Sequence, residues 1–176
     1  MKRMIFVAVV CLAAPLFAHA QEAANPLTST VRKIFDDNSK NLVAAAEEMP
    51  AEKYGFQPSP DVRTFGQVIA HISMVNNNVC AKLFTPAAPM PEKVDEKASK
   101  DKLVDGLKAS MEYCSQAFSK LNDGNLTEMI PFFGGRQNTR LGVALAVTND
   151  LVDHYAGIAI YLRMNSLLPP TAMKKM

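Results

Sequence analysis

The 176-residue chain carries 19 lysines and arginines against 17 aspartates and glutamates, with eight glycines and no tryptophan. This near balance of charge is unlike the strongly basic composition of nucleic-acid-binding proteins, so we expect no nucleic-acid partner. The length allows one domain with a sizeable core. The scarcity of glycine, together with plentiful alanine, leucine, methionine, lysine and glutamate, favours an all-helical domain.

Residues 1–20 have the pattern of a secretory signal peptide. Lys2 and Arg3 form a basic start, residues 4–17 are mostly apolar, and residues 18–20 fit a small-x-small cleavage site. We therefore predict cleavage after Ala20, one domain over residues 21–176, and a periplasmic or secreted protein. The apolar run is short for a bilayer and no later segment is longer, so we expect no membrane partner after cleavage.

Removal of the leader changes the charge and the histidine content. Without Lys2 and Arg3 the 19 basic residues become 17, which equals the 17 acidic ones and leaves no formal net charge. His19 would also be lost, so His71 and His154 would be the two histidines of the mature domain. A metal site must then use both of them or need few histidines.

Four amphipathic patterns predict four helices, over residues 27–48, 64–84, 99–121 and 139–166. The inner stripe of the first consists of Val31, Ile34, Phe35, Leu42, Ala45 and Met49. Thr64 and Gln67 form a capping box at the start of the second. The links at 85–97 and 122–139 read as irregular. The first of them, on the order of 40 Å when extended, is long enough to run the length of a helix bundle. Four such helices indicate a four-helix bundle.

A carboxylate and an imidazole share one face of the fourth helix. Asp150 and His154 are four residues apart, and the inner apolar residues of that helix fall on the same side. Burying such groups is costly unless they are paired, hydrogen-bonded or bound to a metal. With His71 of the second helix as third ligand, we predict a divalent metal site, because two imidazoles and a carboxylate suit Zn²⁺ or Fe²⁺. The alternative is ordinary hydrogen bonding in the core.

Four further polar residues are placed to line a cavity beside that site. They are Asn38 in the first helix, Gln67 and Asn78 in the second, and Tyr161 in the fourth. For each of them plain packing or solvent exposure is the alternative. No serine–histidine–aspartate arrangement, cysteine–histidine pair or phosphate-binding glycine loop is apparent in the sequence.

Two stretches carry a resemblance to a known family. They are MPAEKYGFQPSPDVRTFGQVIAHI, in which a proline-containing loop leads to His71, and TNDLVDHYAGIAIYLRMNSLLPP, which contains His154 and a Tyr-Leu-Arg segment. On these the chain resembles the DinB-like family of four-helix-bundle metalloproteins, here in a secreted form. The family often has His-x-x-x-His followed by Arg-Gly-Gln. Asp150 stands in place of the first histidine, and Tyr155-Ala156-Gly157 in place of the tripeptide.

The resemblance covers essentially the whole mature chain and implies an up-down-down-up four-helix bundle with a long crossover between helices two and three. It also implies that His71, Asp150 and His154 bind a divalent metal, namely zinc, nickel or iron. Some family members are thiol-dependent transferases or isomerases, and most have no known activity. The family name refers to DNA damage and does not imply DNA binding.

The mature domain contains two cysteines, Cys80 and Cys114. An even number of cysteines in an exported protein indicates a disulfide. The topology implied by the resemblance makes helices two and three parallel, which places the two residues at matching heights. Two reduced cysteines in the core are the alternative.

Two functions remain open at this point. The first is an exported metal-dependent hydrolase or transferase that acts on an unidentified small molecule. The second is a non-catalytic periplasmic bundle that binds a ligand or partner and has lost or weakened its metal site. A homodimer is compatible with either.

Overall fold

The computed structural model describes residues 25–84 and 86–173, so the predicted signal peptide lies outside the described residues. The described chain is mostly helical, as the sequence indicates. The helices are α1 (Pro26–Glu48), α2 (Phe65–Cys80), α3 (Lys100–Phe118), α4 (Arg140–Met164) and the short α5 (Pro170–Met173). The four long helices correspond to the four predicted ones. Within the described ranges, no helix combines the length and the apolar character needed to cross a membrane.

The link between α3 and α4 contains a hairpin that the sequence analysis did not predict. Strand β1 (Met129–Pro131) pairs antiparallel with β2 (Gln137–Thr139). The connection contains Gly134 and Gly135, whose φ angles of 65° and 71° lie in the region that glycine enters without steric cost. Strands of three residues show too little alternation to be recognised as strands in the sequence.

The ends of α2 and α3 differ slightly from the prediction. The capping box predicted at the start of α2 is present. The Thr64 hydroxyl oxygen accepts from the Gln67 backbone N–H, and the Gln67 side-chain oxygen accepts from the Thr64 backbone N–H. The α-helix ends at Cys80 and tightens into a 3₁₀ turn over Ala81–Leu83. Helix α3 ends at Phe118 instead of near residue 121. Short 3₁₀ turns commonly finish helices and are not separable from them by periodicity.

The start of α1 is held by a side chain from a distant part of the chain. Asp123, in the loop after α3, accepts bonds from the backbone N–H groups of Leu27 and Thr28, at 3.2 and 2.8 Å. It also accepts one from the Thr28 hydroxyl at 2.8 Å. Asn25 at the N-cap makes no capping bond of its own, and its side-chain oxygen accepts from the Asp123 N–H. One carboxylate therefore satisfies helix-end donors that would otherwise lack partners.

Helices α2 and α3 lie against one another along their length. At their starts Gly66 packs on Leu103. At their ends a disulfide joins Cys80 and Cys114, whose Cα atoms are 5.2 Å apart. Start lies beside start and end beside end, so these two helices contact each other in the same order along the chain.

Helices α2 and α4 meet in the reverse order. At the start of α4, the Arg140 guanidinium donates to the Leu83 carbonyl just beyond α2, at 2.9 Å. Near the end of α4, the Tyr161 hydroxyl donates to the Arg63 carbonyl just before α2, at 2.7 Å. The middles of the two helices consequently face each other, and the candidate site lies there.

The long crossover between α2 and α3 is packed against the bundle. Val94 lies so close to Gly106 of α3 that a Cβ atom at residue 106 would collide with it. The Tyr113 hydroxyl, also on α3, donates to the Ala88 carbonyl at 3.2 Å. The absence of a side chain at residue 106 lets the crossover approach α3 closely.

One residue of the inner stripe predicted for α1 is not buried in the structure. Val31, Phe35 and Leu42 are buried as predicted, whereas Ile34 is 40% exposed. A single residue step turns a helix by about 100°, so Ile34 lies outside the buried arc that contains Phe35.

Candidate functional site

His71 and His154 face each other from the middles of α2 and α4. Their ring centroids are 5.3 Å apart and the rings stand nearly perpendicular, at 79°. Asp150 lies one turn before His154, and its Oδ2 atom is 3.5 Å from His154 Nε2. The structure therefore brings the three side chains predicted as metal ligands to one place between α2 and α4.

The Asp150 carboxylate is incompletely satisfied. Its Oδ2 atom is buried and has no hydrogen bond from any described residue. The 3.5 Å approach to His154 lies within ion-pair distance but is too long for a good hydrogen bond. A buried carboxylate oxygen without a donor is costly. A cation at this atom would offset that cost.

The side-chain types at this place suit a divalent ion, although they are not arranged as a metal-binding group in the structure. In the part of the chain that the structure describes, no three histidine, cysteine, aspartate or glutamate residues form a group that could hold a metal ion. His71, His154 and Asp150 nonetheless offer two imidazoles and a carboxylate, a set that leaves coordination positions open. The unsatisfied oxygen of Asp150 is one available ligand atom.

The surroundings of His71 favour its neutral form. Burial lowers the pKa of His71 below its usual 6.5, and the neighbouring Arg63 and His154 lower it further. The Asp150 carboxylate acts in the opposite direction with a smaller effect. At neutral pH the imidazole of His71 therefore keeps a free lone pair, as a metal ligand or proton acceptor needs.

Two clefts open beside His71. The larger, about 810 Å³, lies between α4 and the loop before α2 and is bordered by His154 as well as His71. The smaller, about 580 Å³, lies between α2 and the long crossover. Arg63, Gln67 and His71 belong to the walls of both clefts. Volumes of this order are typical of small-molecule sites.

Two of the four predicted pocket residues lie at these clefts. Gln67 lines both and Tyr161 lines the larger. Asn38 and Asn78 line neither. The Asn38 amide donates to the Ile34 carbonyl in its own helix at 2.8 Å, and Asn78 is exposed. Asn38 therefore makes a local hydrogen bond and Asn78 faces solvent, so the prediction that they line the cavity is wrong.

Tyr161 and Gln67 have structural bonds at the clefts. The Tyr161 hydroxyl fixes the backbone of Arg63, and burial raises the pKa of Tyr161 although Arg63 opposes this. The Gln67 side chain accepts from the Thr64 N–H at 2.9 Å and reaches Glu96 of the crossover at 3.5 Å. Both residues thus position the cleft walls.

Arg63 is a cleft residue that was not predicted from the sequence. Its side chain is exposed on the loop before α2, and its charge is the second-largest influence on the pKa of His71. The guanidinium forms no hydrogen bond or ion pair with another described residue. Helical periodicity gives no information about loop residues. The one available signal was a cation directly before the Thr64 cap.

The buried asparagines of α2 are Asn76 and Asn77, not Asn78. The Asn76 amide nitrogen lies 3.4 Å from both Ser110 Oγ and Met111 Sδ of α3. The side-chain oxygen of Asn77 is buried and has no hydrogen bond from a described residue. These side chains are buried away from the two clefts beside His71.

Comparison with solved structures finds the same fold in proteins of low sequence identity. A DinB-like protein from Bacillus cereus matches with a TM-score of 0.64 and 18% identity, covering 76% of this chain and 89% of that one. A DinB-like protein from Bacillus subtilis matches with a TM-score of 0.62 and 15% identity, over 78% and 92%. A mycothiol-dependent maleylpyruvate isomerase variant matches with a TM-score of 0.60 and 10% identity, over 72% and 58%.

These identities establish a shared fold and leave the activity of the present protein open. No curated protein matches the chain. The family model described as the DinB superfamily matches residues 34–158, well over half of the chain, and the match spans α2, α3 and the part of α4 that carries Asp150 and His154. The chain belongs to the DinB superfamily.

Proposed function

We propose that this protein is an exported metal-dependent enzyme, a hydrolase or transferase, in which His71, Asp150 and His154 hold a zinc, nickel or iron ion. The observation that carries the proposal is the buried, unbonded Oδ2 of Asp150 beside two facing imidazoles. A metal ion would provide the positive partner that this carboxylate oxygen lacks. It would have to draw the three side chains closer together than they stand in the structure.

The residues have separate roles in this proposal. When bound, the ion would lower the pKa of water or of a thiol and polarise a carbonyl. His71 is held neutral and can donate its lone pair. Asp150 neutralises part of the ionic charge. Arg63, without a partner among the described residues, stands at the cleft wall where it can attract an anionic group of a substrate.

The substrate would be a small molecule that enters the larger cleft. The mycothiol-dependent isomerase is named for a thiol, and a thiol cosubstrate is one option for the present cleft. Reduced thiols are scarce outside the cytoplasm, so an exported protein fits hydrolysis better. The Cys80–Cys114 disulfide supports export, because such bonds persist in oxidising compartments.

We also propose the up-down-down-up order of the long helices expected from the sequence. It is supported by the contacts at the helix ends, where α2 and α3 meet in the same order and α2 and α4 in the reverse order.

A non-catalytic binding bundle is the second candidate. It is favoured by the lack of a ready three-residue metal group within the described ranges. Asp150 at the position of an expected histidine points the same way. In this case the clefts would bind a ligand without transforming it.

Metal content separates the two candidates. Protein purified without added metal is analysed by mass spectrometry and then titrated with Co²⁺, whose visible absorption reports its ligands. We expect about one metal per chain, and affinity reduced well over tenfold in His71→Ala, Asp150→Ala and His154→Ala. The matched control is Asp153→Asn, one turn from Asp150 on the same helix, which should keep its metal.

Two results would reject the metal site. One is a protein that contains no metal and binds neither Co²⁺ nor Zn²⁺. The other is metal that remains in all three alanine variants. Either result would leave the binding bundle as the function to test.

A further inference from the structure

The serine and threonine hydroxyls buried in the described part of the chain are hydrogen-bonded, with the exception of one on α1. Four of the five buried residues, namely Thr28, Ser73, Ser110 and Thr148, donate a hydrogen bond of 2.8 or 3.0 Å. The fifth is Ser39, which is 8% exposed. Its Oγ atom is buried and has no hydrogen bond with any described residue. An unsatisfied buried hydroxyl is costly, and a bound molecule can satisfy it.

Ser39 lines a groove of about 380 Å³ between α1 and α3. These two helices are tied together on both sides of the groove. Near the start of α1, the Arg32 guanidinium donates to two carbonyls at and just beyond the end of α3, at 3.0 and 2.8 Å. Near the end of α1, Glu47 pairs with Lys108 at 2.6 Å. The groove shares no lining residue with either cleft of the candidate site.

The floor of the groove is apolar apart from this hydroxyl. Phe35, which is 2% exposed, lines it from α1, and Met111, which is 6% exposed, lines it from α3. Val43 and Ala44 lie beside them. Flat rings pack well against aromatic side chains and thioethers. Since about 150 Å³ of apolar cavity is enough for one benzene-sized ring, the groove has room for a ring with a substituent.

The rim of the groove carries charges of both signs. Lys40 and Asp36 stand on α1, and Glu112 stands on α3. All three side chains are exposed, so water and salt screen them. A screened rim of mixed sign favours neither a cation nor an anion. The floor therefore decides which molecule is bound, and an apolar floor with one hydroxyl suits a neutral molecule with one polar group.

We infer that this groove is a ligand site separate from the candidate metal site, and that it binds a small neutral aromatic molecule with one hydroxyl group. Phenol is the simplest molecule of this class. The ring packs on Phe35 and Met111, and the hydroxyl bonds to Ser39 Oγ. A phenolic hydroxyl can donate or accept, and the serine hydroxyl has both capacities available. The bond removes the cost of the unsatisfied buried group.

Titration with phenol, followed by two-dimensional NMR, tests this site. For a ligand as small as phenol we expect a dissociation constant on the order of 1 mM. Saturable shifts should appear at Ser39, Val43 and the Met111 methyl group within about 10 mM phenol. The signals of His71 and His154 should stay in place, because those residues lie outside the groove.

The hydroxyl is tested with a second probe and three variants. Toluene resembles phenol in shape but has no hydroxyl. Ser39→Ala should weaken phenol about three- to tenfold, the effect of one neutral hydrogen bond, and should not weaken toluene. Ser115→Ala, at an exposed position of the same groove, is the matched control and should leave both affinities unchanged. Ala44→Leu should weaken both probes by filling the groove. Circular dichroism of each variant verifies the helical fold.

Two outcomes would overturn the inference. The first is the absence of saturable shifts at the groove within that range of phenol concentration. The second is a folded Ser39→Ala protein that binds phenol as tightly as the wild type, since the hydroxyl would then not be the partner. The titration requires neither the proposed metal nor the proposed reaction, so failure of this groove is distinguishable from failure of the metal site.

Discussion

The surroundings of His71 shift its pKa in opposite directions. Burial and the neighbouring Arg63 and His154 favour its neutral form, and Asp150 favours its charged form. Because burial is the largest influence, the neutral form prevails in the metal-free protein. A site of this kind can offer a lone pair to an ion even in mildly acidic surroundings.

The first prediction concerns the titration of His71. In metal-free protein its pKa, followed by NMR, should lie below 6.5, and Arg63→Gln should raise it by removing a nearby positive charge. Since the folded pKa is lower than the unfolded one, the unfolded state binds more protons. The stability from this group is therefore complete above pH 6.5 and is lost as the pH falls through the folded pKa.

The control for this prediction is Lys93→Gln. Lys93 lies on the wall of the smaller cleft but is not among the causes of the shift, so its removal should leave the titration of His71 unchanged. A pKa of His71 at or above 6.5 in the wild-type protein would contradict the electrostatic account.

The residue-level predictions succeeded where helical spacing governs position. The four-residue spacing of Asp150 and His154 places them on one face, and the structure has them one turn apart beside His71. Asn78 was placed near the site, yet it is exposed while Asn77 beside it is buried, because one residue changes the direction by about 100°. Arg63 lies in a loop, and helical periodicity does not predict the direction of a loop side chain.

At the scale of elements, α1 depends on a distant residue for its beginning. Its own N-cap makes no side-chain capping bond, and Asp123 supplies three acceptor contacts from the loop after α3. Burial raises the pKa of Asp123, but the bonds from Thr28 and Leu27 outweigh it, so the pKa lies below 3.8. The ionised carboxylate is therefore part of the folded structure.

The second prediction follows from this cap. Asp123→Ala should lower the melting temperature at neutral pH, because the first N–H groups of α1 lose their acceptor. A depressed folded pKa contributes stability that is present above pH 3.8 and disappears as the pH falls through the folded pKa. The difference in melting temperature between wild type and variant should consequently shrink between neutral pH and pH 3.

Asp36→Ala provides the matched comparison, since this aspartate is exposed on α1 and none of the described hydrogen bonds or ion pairs involves it. Its melting temperature should stay close to that of the wild type. An Asp123→Ala protein that melts like the wild type at neutral pH would show that the cap contributes nothing.

The long helices could be predicted from the sequence, whereas the hairpin and some helix ends could not. Long amphipathic patterns identify the four helices, because each buries a stripe over several turns. The hairpin between α3 and α4 was read as an irregular link, since its three-residue strands contain a proline and enclose two glycines. The closing 3₁₀ turn of α2 and the early end of α3 depend on tertiary packing, which overrides local propensity.

For the molecule as a whole, the disulfide ties α2 to α3 across a separation of 34 residues. This separation includes the entire crossover, so the bond restricts the unfolded chain over a long loop. Cysteine count and helix heights suggested the pairing, but neither determines the Cβ geometry that a bond needs.

The third prediction is that the double variant Cys80→Ala with Cys114→Ala loses about 2–4 kcal/mol of unfolding free energy. Urea unfolding with and without reductant provides the measurement. Reductant should destabilise the wild type and leave the double variant unchanged. Equal masses of the wild type under reducing and non-reducing conditions would show two free thiols and reject the bond.

The contact between Val94 and Gly106 has a consequence for the width of the smaller cleft. The crossover wall of that cleft packs on α3 at this point, because residue 106 has no side chain that would meet Val94. A side chain at residue 106 would displace Val94 and the wall to which it belongs. A glycine that does not itself line the cleft therefore helps to set how wide the cleft is.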